Sequence, residues 1–181
     1  MTQPPDPPAA LSLDGVRALV TGGTSGLGFA MSEALAGAGA RVLLTGRTEQ
    51  RVQDAAEKIA RATGLVMDVR DEQSVSAGVD RAISTLGGID VLVNNAGLGM
   101  RTVNPDFMTE PAGFWQVSPD GFWDLFATNV LGYFLVARAV VPHMLDAGHG
   151  KIVNISVSEA TMRRRAAAGL RRCRYRPGRR P

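Results

Sequence analysis

The residues best suited to chemistry form a glycine-rich turn near the start of the chain, Thr21-Gly22-Gly23-Thr24-Ser25-Gly26-Leu27-Gly28. Glycines allow the backbone to approach another group closely, and a turn that opens a helix presents free N–H groups and a positive helix end to an anion. The pyrophosphate of a dinucleotide is the natural ligand of such a turn. The turn alone is equally compatible with an ordinary strand-to-helix connection, so its surroundings must decide.

The elements around this turn follow a repeated strand–helix pattern. An apolar run at 16–20 precedes it, and a segment with helical periodicity follows it to about residue 37. The pattern predicts further strands at 41–45, 65–67, 89–93 and 151–156. It also predicts helices at 48–62, from Asp71 or Ser74 to about residue 86, and at 120–146. This alternation predicts an α/β fold, a doubly wound parallel sheet (Rossmann-like) of about five strands with helices on both faces.

Composition predicts one globular domain between two unusual ends. Of the 181 residues, 45% are hydrophobic and 20% are charged, as in soluble proteins. We expect residues 1–10, which include four prolines, to be a disordered arm, and residues 11–162 to be the dinucleotide-binding domain. The single cysteine, Cys173, excludes an internal disulfide and favours the cytoplasm, and the apolar stretch 130–145 is too short to span a membrane.

The charge is divided unevenly along the chain. Residues 163–181 contain nine arginines and no acid, which leaves 11 basic against 17 acidic residues before them, a net charge of −6. We expect this tail to be disordered. An arginine-rich arm can bind nucleic acid by neutralising phosphates, but residues 1–162 supply no basic face or base-reading motif, so nucleic acid is not the favoured partner. His143 and His149 lack ligand partners at suitable spacing, so no metal is assigned.

Five signatures stand in order along the chain: Thr21-Gly22-x-x-x-Gly26-x-Gly28, Asp68-Val69, Asn94-Asn95-Ala96-Gly97, Asn129, and the strand at 152–156. With them, residues 11–162 resemble the short-chain dehydrogenase/reductase family. The resemblance implies an NAD(P)-dependent oxidoreductase that transfers a hydride between a nicotinamide and a small-molecule carbonyl or alcohol. A homo-oligomer is expected from the family and stays open for this shorter chain.

The resemblance also implies a cofactor site. The glycine turn would hold the pyrophosphate, Asp68-Val69 would border the adenine, and Asn95-Ala96-Gly97 would line the adenosine ribose. In isolation, Asp68 is better interpreted as a solvated turn carboxylate and Asn94-Asn95 as a turn, but together with the glycine turn they favour a cofactor site. The residues carried over are Gly22, Thr24, Ser25, Gly26, Leu27, Gly28, Arg47, Asp68, Val69, Asn95, Ala96 and Gly97.

The end of the second strand predicts which cofactor is bound. A fold that selects NAD places an acid there, whereas an arginine accommodates the 2′-phosphate of NADP. This chain has Gly46-Arg47-Thr48 and no acid, which favours NADP. NAD remains possible, because Arg47 can be a solvated loop cation and Ser25 is not the second basic residue that many NADP-selective relatives carry in the glycine turn.

Catalytic residues are harder to place. Asn129 resembles the family's helix asparagine, which holds a water in the proton relay, although it can also be a helix-face side chain bonded to backbone. Ser156 or Ser158 would supply the family's serine, or both are only turn residues. The family's serine usually aligns with Val157, and the family's tyrosine lies thirteen residues further on. Counted from Ser156, Val157 or Ser158, that position is Gly169, Leu170 or Arg171.

The tyrosine and the lysine four residues after it are therefore missing from the expected positions. We expect a chain truncated or frame-shifted after about residue 162, with a sheet incomplete at its C-terminal side and poor solubility. A catalytically inactive dinucleotide-binding remnant is the alternative to an active enzyme.

Overall fold

The structure, a computed structural model, describes residues 12–106, 109–110 and 113–156. Its centre is a sheet of five strands: β1 Arg17–Val20, β2 Arg41–Gly46, β3 Ala62–Val66, β4 Val91–Asn94 and β5 Lys151–Asn154. All neighbouring strands pair in parallel, in the order β3-β2-β1-β4-β5. The doubly wound parallel sheet predicted from the sequence is confirmed.

Helices cover both faces of this sheet. They are α1 Gly26–Gly37, α2 Glu49–Ala56, α3 Glu72–Leu86, α4 Pro119–Phe126 and α5 Gly132–Asp146, and a π-helical turn, Ala127–Leu131, joins the last two. Side chains alternate across a strand, so Ala18 and Val20 pack with α1 and α2, whereas Leu19 packs with α3 and α5. The result is two separate apolar cores, one on each face.

The second helix is shorter than the sequence pattern predicts. It ends at Ala56 rather than near residue 62, and β3 begins at Ala62 rather than at Leu65. Arg61 has a positive φ of 65°, which ends the connecting turn. Parallel pairing with β2 then starts at Ala62, opposite Val42, so hydrogen bonding along the sheet prevails over the helical periodicity.

Of the two predicted starts of the third helix, Asp71 is the observed cap, and the helix ends at Gly87 as predicted. The Asp71 carboxylate accepts hydrogen bonds from the backbone N–H groups of Gln73 and Ser74, at 2.8 and 3.1 Å. Gly87 ends the helix with a φ of 80°, a left-handed conformation that glycine adopts without strain. These two caps fix the length of the helix that follows β3.

The longest helical segment, Pro119–Asp146, has 28 residues and a mean hydropathy of 1.5 over its most apolar part, of which 28% is buried. By length and composition alone it could cross a membrane, so the argument from the shorter stretch 130–145 does not hold. Its inward side, however, supplies Leu135, Val136 and Val140 to the core beside α3. In this fold the segment is a packed helix of an α/β domain.

Asp90 joins three strands at the end of the sheet where β4 begins. Its carboxylate accepts hydrogen bonds from the backbone N–H and the Nε of Arg17, at 2.8 and 2.9 Å, and from Nε2 of His149 at 2.9 Å. The guanidinium holds the pKa of Asp90 well below its usual range, and the carboxylate raises the pKa of His149. We call these three residues the Asp90 cluster.

Candidate cofactor site

The opposite end of the sheet carries a cavity of about 390 Å³ at the carboxyl ends of β1, β2, β3 and β4. Ligands of open α/β sheets bind at this end of the strands. Apart from Gly26, which lines a neighbouring groove, every residue predicted to bind the cofactor lines this cavity. The predicted residues come from four separate segments of the chain, and in the structure they line one cavity.

The glycines of the turn are required for two different reasons. Gly22 has a φ of +65°, and a Cβ there would lie 2.8 Å from the Cα of Ala96. A Cβ on Gly28 would overlap the carbonyl oxygen of Gly22 and Nδ2 of Asn95. Gly26 faces open space but has a φ of +55°, so it is needed for its conformation and not for a close approach within the chain.

Thr21 and Asn95 hold the glycine turn against the end of β4. The hydroxyl oxygen of Thr21 accepts hydrogen bonds from the N–H groups of Asn95 and Ala96, at 3.0 and 3.1 Å. In return, Nδ2 of Asn95 donates to the carbonyl oxygens of Thr21 and Gly22, both at 3.1 Å. Two strand ends are thereby fixed to each other, which shapes one wall of the cavity before any ligand arrives.

The lining of the cavity includes polar groups that have no partner within the described residues. Thr45 and Thr128 line it, and among the described residues their buried hydroxyls have no hydrogen-bond partner. Ser25, the N-cap residue of α1, makes no capping hydrogen bond with its side chain. The first backbone N–H groups of α1 therefore have no bond to the Ser25 hydroxyl. Unpaired polar groups beside a positive helix end fit a dinucleotide with its pyrophosphate at the turn.

Asp68 lies in the cavity as half of an ion pair that the sequence analysis did not anticipate. Its carboxylate accepts hydrogen bonds from Nε of Arg70 at 3.1 Å and from Nη2 at 2.8 Å. Hydrogen bonding to Arg70 lowers the pKa of Asp68, so the group is an ionised acceptor at neutral pH. Arg70 also reaches Asp124 of α4, at 3.5 Å, and so links the cavity to that helix.

Of the proposed catalytic residues that the structure describes, neither Asn129 nor Ser156 lines this cavity, although Asn129 is bonded to Leu98, which does. The Asn129 side chain, in the π-helical turn, makes a reciprocal pair with the backbone of Leu98: Oδ1 accepts from the N–H at 2.8 Å, and Nδ2 donates to the carbonyl at 2.9 Å. Ser156 is exposed after β5, and Ser158 lies outside the described residues. The hydroxyl of Tyr133 donates to the carbonyl of Ile155 at 3.1 Å, and burial raises its pKa.

Sequence reasoning missed several residues that line the cavity. Most of them directly adjoin motif residues in the sequence, and this adjacency could have indicated them. Arg51 lies four residues after Arg47. In the part of the chain that the structure describes, no group of three or more histidine, cysteine or acidic residues is placed to bind a metal. The missed residues are Thr45, Gly46, Thr48, Arg51, Met67, Arg70, Leu98 and Thr128.

A parallel sheet with a glycine turn, a helix N-terminus and a polar cavity at its carboxyl end defines a Rossmann-type dinucleotide-binding protein. The family model described as short chain dehydrogenase matches residues 17–169. The chain belongs to the short-chain dehydrogenase family, as its motifs indicated.

Similar proteins include enzymes and cofactor complexes. Gluconate 5-dehydrogenase of Gluconobacter oxydans is 38% identical over 162 residues, which is 87% of this chain and 59% of that enzyme. A metagenomic short-chain oxidoreductase crystallised with NADP is 30% identical with a TM-score of 0.72, covering 81% of this chain and 64% of the other. The 3-ketoacyl-(acyl-carrier-protein) reductase of Brucella melitensis, crystallised with NADH, is 33% identical with a TM-score of 0.67, at 76% and 53% coverage. The chain thus spans less than two thirds of each.

Proposed function

We propose that this chain binds NADP(H) in the cavity at the carboxyl end of the sheet and takes part in hydride transfer to or from a small-molecule carbonyl or alcohol. The observation that carries the proposal is the cavity itself, which joins the glycine turn to three further strand ends. Two structural relatives hold NADP and NADH, which supports a nicotinamide cofactor. NAD(H) is the second choice, because Arg47 is the feature that favours the 2′-phosphate.

Each part of the cavity has a proposed role. The turn from Gly22 to Gly28 and the N-terminus of α1 hold the pyrophosphate. Asp68 and Val69 border the adenine, 95–97 line the adenosine ribose, and Arg47 contacts the 2′-phosphate. The nicotinamide would supply the hydride chemistry when bound, and the residues of this cavity would hold the adenosine and pyrophosphate part of the cofactor.

The catalytic assignment stays a proposal as well. Asn129 and either Ser156 or Ser158 are the candidates, with Asn129 acting in the proton relay and the serine on the substrate oxygen. A second function, cofactor binding without turnover, is favoured by one observation: in these 181 residues no tyrosine is followed four positions later by a lysine. The cytoplasmic location, favoured by the single cysteine, stays a prediction.

Titration of the purified chain with NADPH and NADH, followed by fluorescence and thermal shift, tests the binding step. Ser25→Asp places a negative charge where the pyrophosphate would lie and preserves a good N-cap residue, so the fold is expected to persist. We expect this variant to weaken NADPH binding by at least about tenfold through charge repulsion. Ala30→Asp adds the same charge further along α1, at an exposed residue that does not line the cavity, and is the matched control.

The outcomes separate the two functions. Saturable NADPH binding that Ser25→Asp weakens and Ala30→Asp does not supports the proposed site. Oxidation of bound NADPH on addition of a panel of ketones and aldehydes supports the active enzyme, and binding without oxidation supports the second function. No binding of either cofactor by the unmodified chain would overturn both.

A further inference from the structure

An arginine lies between two carboxylates just after the carboxyl end of β3. Arg70 donates from Nε to one oxygen of Asp68 at 3.1 Å and from Nη2 to the other at 2.8 Å. Its third guanidinium nitrogen, Nη1, lies 3.5 Å from the carboxylate of Asp124 in α4. The backbone N–H of Arg70 also donates to Asp68, at 3.0 Å. Every nitrogen of this guanidinium is therefore directed at an acid.

This arrangement determines which of the two partners can serve a ligand. Arg70 and Asp68 both line the cavity. The donors of Arg70 are already used by its two acids, so the guanidinium is poorly suited to bind a further anion. The side chain of Asp68 keeps 30% of its surface exposed, and each carboxylate oxygen has more than one lone pair. The carboxylate is consequently the member of the pair that can still accept a hydrogen bond from a ligand.

The pairing also fixes the chemical character of this carboxylate. Hydrogen bonding to Arg70 lowers the pKa of Asp68, so the group is ionised at neutral pH and can accept but not donate. A fork that donates to both oxygens fixes the plane of the carboxylate as well. A group held in this way attracts a ligand donor and repels a ligand acceptor at the same position.

The two kinds of ligand group differ at one atom of a purine. Adenine carries an amino group at its position 6, which donates, whereas a 6-oxo purine such as hypoxanthine carries an acceptor there. In the proposed function Asp68 and Val69 border the adenine. An acceptor that is fixed and always ionised at this place would distinguish the two bases, and one that rotates or becomes protonated would distinguish them poorly.

We infer that Arg70 is a positioning residue for base selectivity: it holds the Asp68 carboxylate so that the cavity accepts a 6-amino purine and rejects a 6-oxo purine. Asp124 holds the other side of the guanidinium and so keeps it in place. This inference rests on the proposed function and deepens it, because it gives a role to a residue that itself contacts neither phosphate nor base.

The chain offers a matched control for the loss of an arginine from an ion pair. Arg138 in α5 donates to Glu72 at 2.9 Å, and both side chains are more than half exposed. Arg138 does not line the cavity. Arg138→Ala and Arg70→Ala each remove one positive charge and break one ion pair near the start of α3. A general electrostatic effect would appear in both variants, whereas positioning of Asp68 would be lost in Arg70→Ala alone.

The experiment measures dissociation constants of NADPH, NADH and the 6-oxo analogue of NADPH, in which hypoxanthine replaces adenine. We expect the unmodified chain to bind NADPH at least about tenfold more tightly than the analogue, as for a hydrogen bond to a charged group. Arg70→Ala should reduce this preference to about twofold, and Arg138→Ala should leave it unchanged. The ratio of NADPH to NADH affinity should stay the same in Arg70→Ala, because the arginine does not contact the 2′-phosphate.

Two further variants support the interpretation. Arg70→Lys keeps the charge but loses the fork, so its preference should lie between those of the unmodified chain and Arg70→Ala. Asp68→Asn should abolish the preference, because a carboxamide can donate as well as accept. Thermal unfolding without ligand verifies that each variant is folded, and if Arg70→Ala is not, Arg70→Lys carries the comparison.

Four results would overturn the inference. They are equal binding of NADPH and its 6-oxo analogue by the unmodified chain, an unchanged preference in both Arg70 variants, an equal loss of preference in Arg138→Ala, and a changed ratio of NADPH to NADH affinity in Arg70→Ala. In each of these cases NADPH still binds the unmodified chain, so the proposed function stands. If the unmodified chain binds neither NADPH nor NADH, the proposed function fails and this inference fails with it.

Discussion

The two flanks of the sheet differ sharply in how well the described chain covers them. In β2, Val42, Leu43 and Leu44 are at most 1% exposed, whereas all four residues of β5 are exposed, with Ile152 at 39% and Val153 at 45%. Both strands follow the same parallel pairing rule and differ in what lies on their faces. The flank that carries β2 is completed by α1, α2 and α3, and the flank that carries β5 is not.

The same contrast runs through the long helical segment. Val136 and Val140 are fully buried against the core, while Trp123 is 64% exposed and Phe134 58% exposed on the outer side. The cavity lies on the covered side, among β1, β2, β3 and the end of β4. Within the described residues, the strands β1, β2 and β4 that line the cofactor site are therefore covered, whereas β5 is not.

The largest effect on stability is expected for substitutions of two residues that lie opposite each other in neighbouring strands. Leu92 in β4 is fully buried and lies opposite Ile152 of β5 in the sheet. We expect Leu92→Ala to lower the free energy of unfolding by about 3 kcal/mol, and Ile152→Ala by about 1 kcal/mol, because less surface is buried at the edge. Urea denaturation of both variants measures the difference. Equal losses would show that the flank at β5 is covered in solution.

A smaller effect should come from the Asp90 cluster, which connects β1 to the start of β4 and to the segment before β5. Because its folded-state pKa is depressed, Asp90 stabilises the protein above its unfolded pKa, and this contribution is lost as the pH falls below about 4. Asp90→Asn should cost about 2 kcal/mol near neutral pH, where a charged hydrogen-bond acceptor is lost. Measured against the unmodified chain, that difference should shrink in acid. A difference that is constant with pH would contradict the ion pair with Arg17.

The smallest effect should come from His149, which is exposed. Its folded-state pKa is raised by Asp90, so its contribution is complete below the unfolded value of about 6.5 and disappears as the pH rises through the folded value. His149→Gln should therefore lower stability slightly in mild acid and leave it unchanged in mild alkali. Thermal unfolding across that range measures the effect, and Lys151→Gln, an exposed cation on the adjacent strand, serves as the control.

Much of the fold was predictable because single residues fix it locally. Asp71 and Gly87 determine the ends of α3 through caps that are readable in the sequence. The early end of α2 was not predictable, because it depends on the pairing of Ala62 with Val42, twenty residues earlier. Sheet pairing is a non-local interaction that helical periodicity does not report.

The candidate site divides in the same way. Gly22, Gly28 and Asn95 belong to contiguous motifs, and the structure brings them together. The Arg70 partner of Asp68 and the position of Arg51 depend on side-chain directions around the cavity. Spacing along the chain could not predict those directions.

The pair between Asn129 and Leu98 has a consequence for how this family position is interpreted. An asparagine side chain is a primary amide, and here it imitates a peptide group, giving and taking one hydrogen bond as a rung of a β-ladder does. Aspartate would lack the donor, and glutamine would be longer by one methylene group. The fold itself therefore requires asparagine at position 129. The same residue is expected in a chain that turns over substrate and in one that only binds a nucleotide.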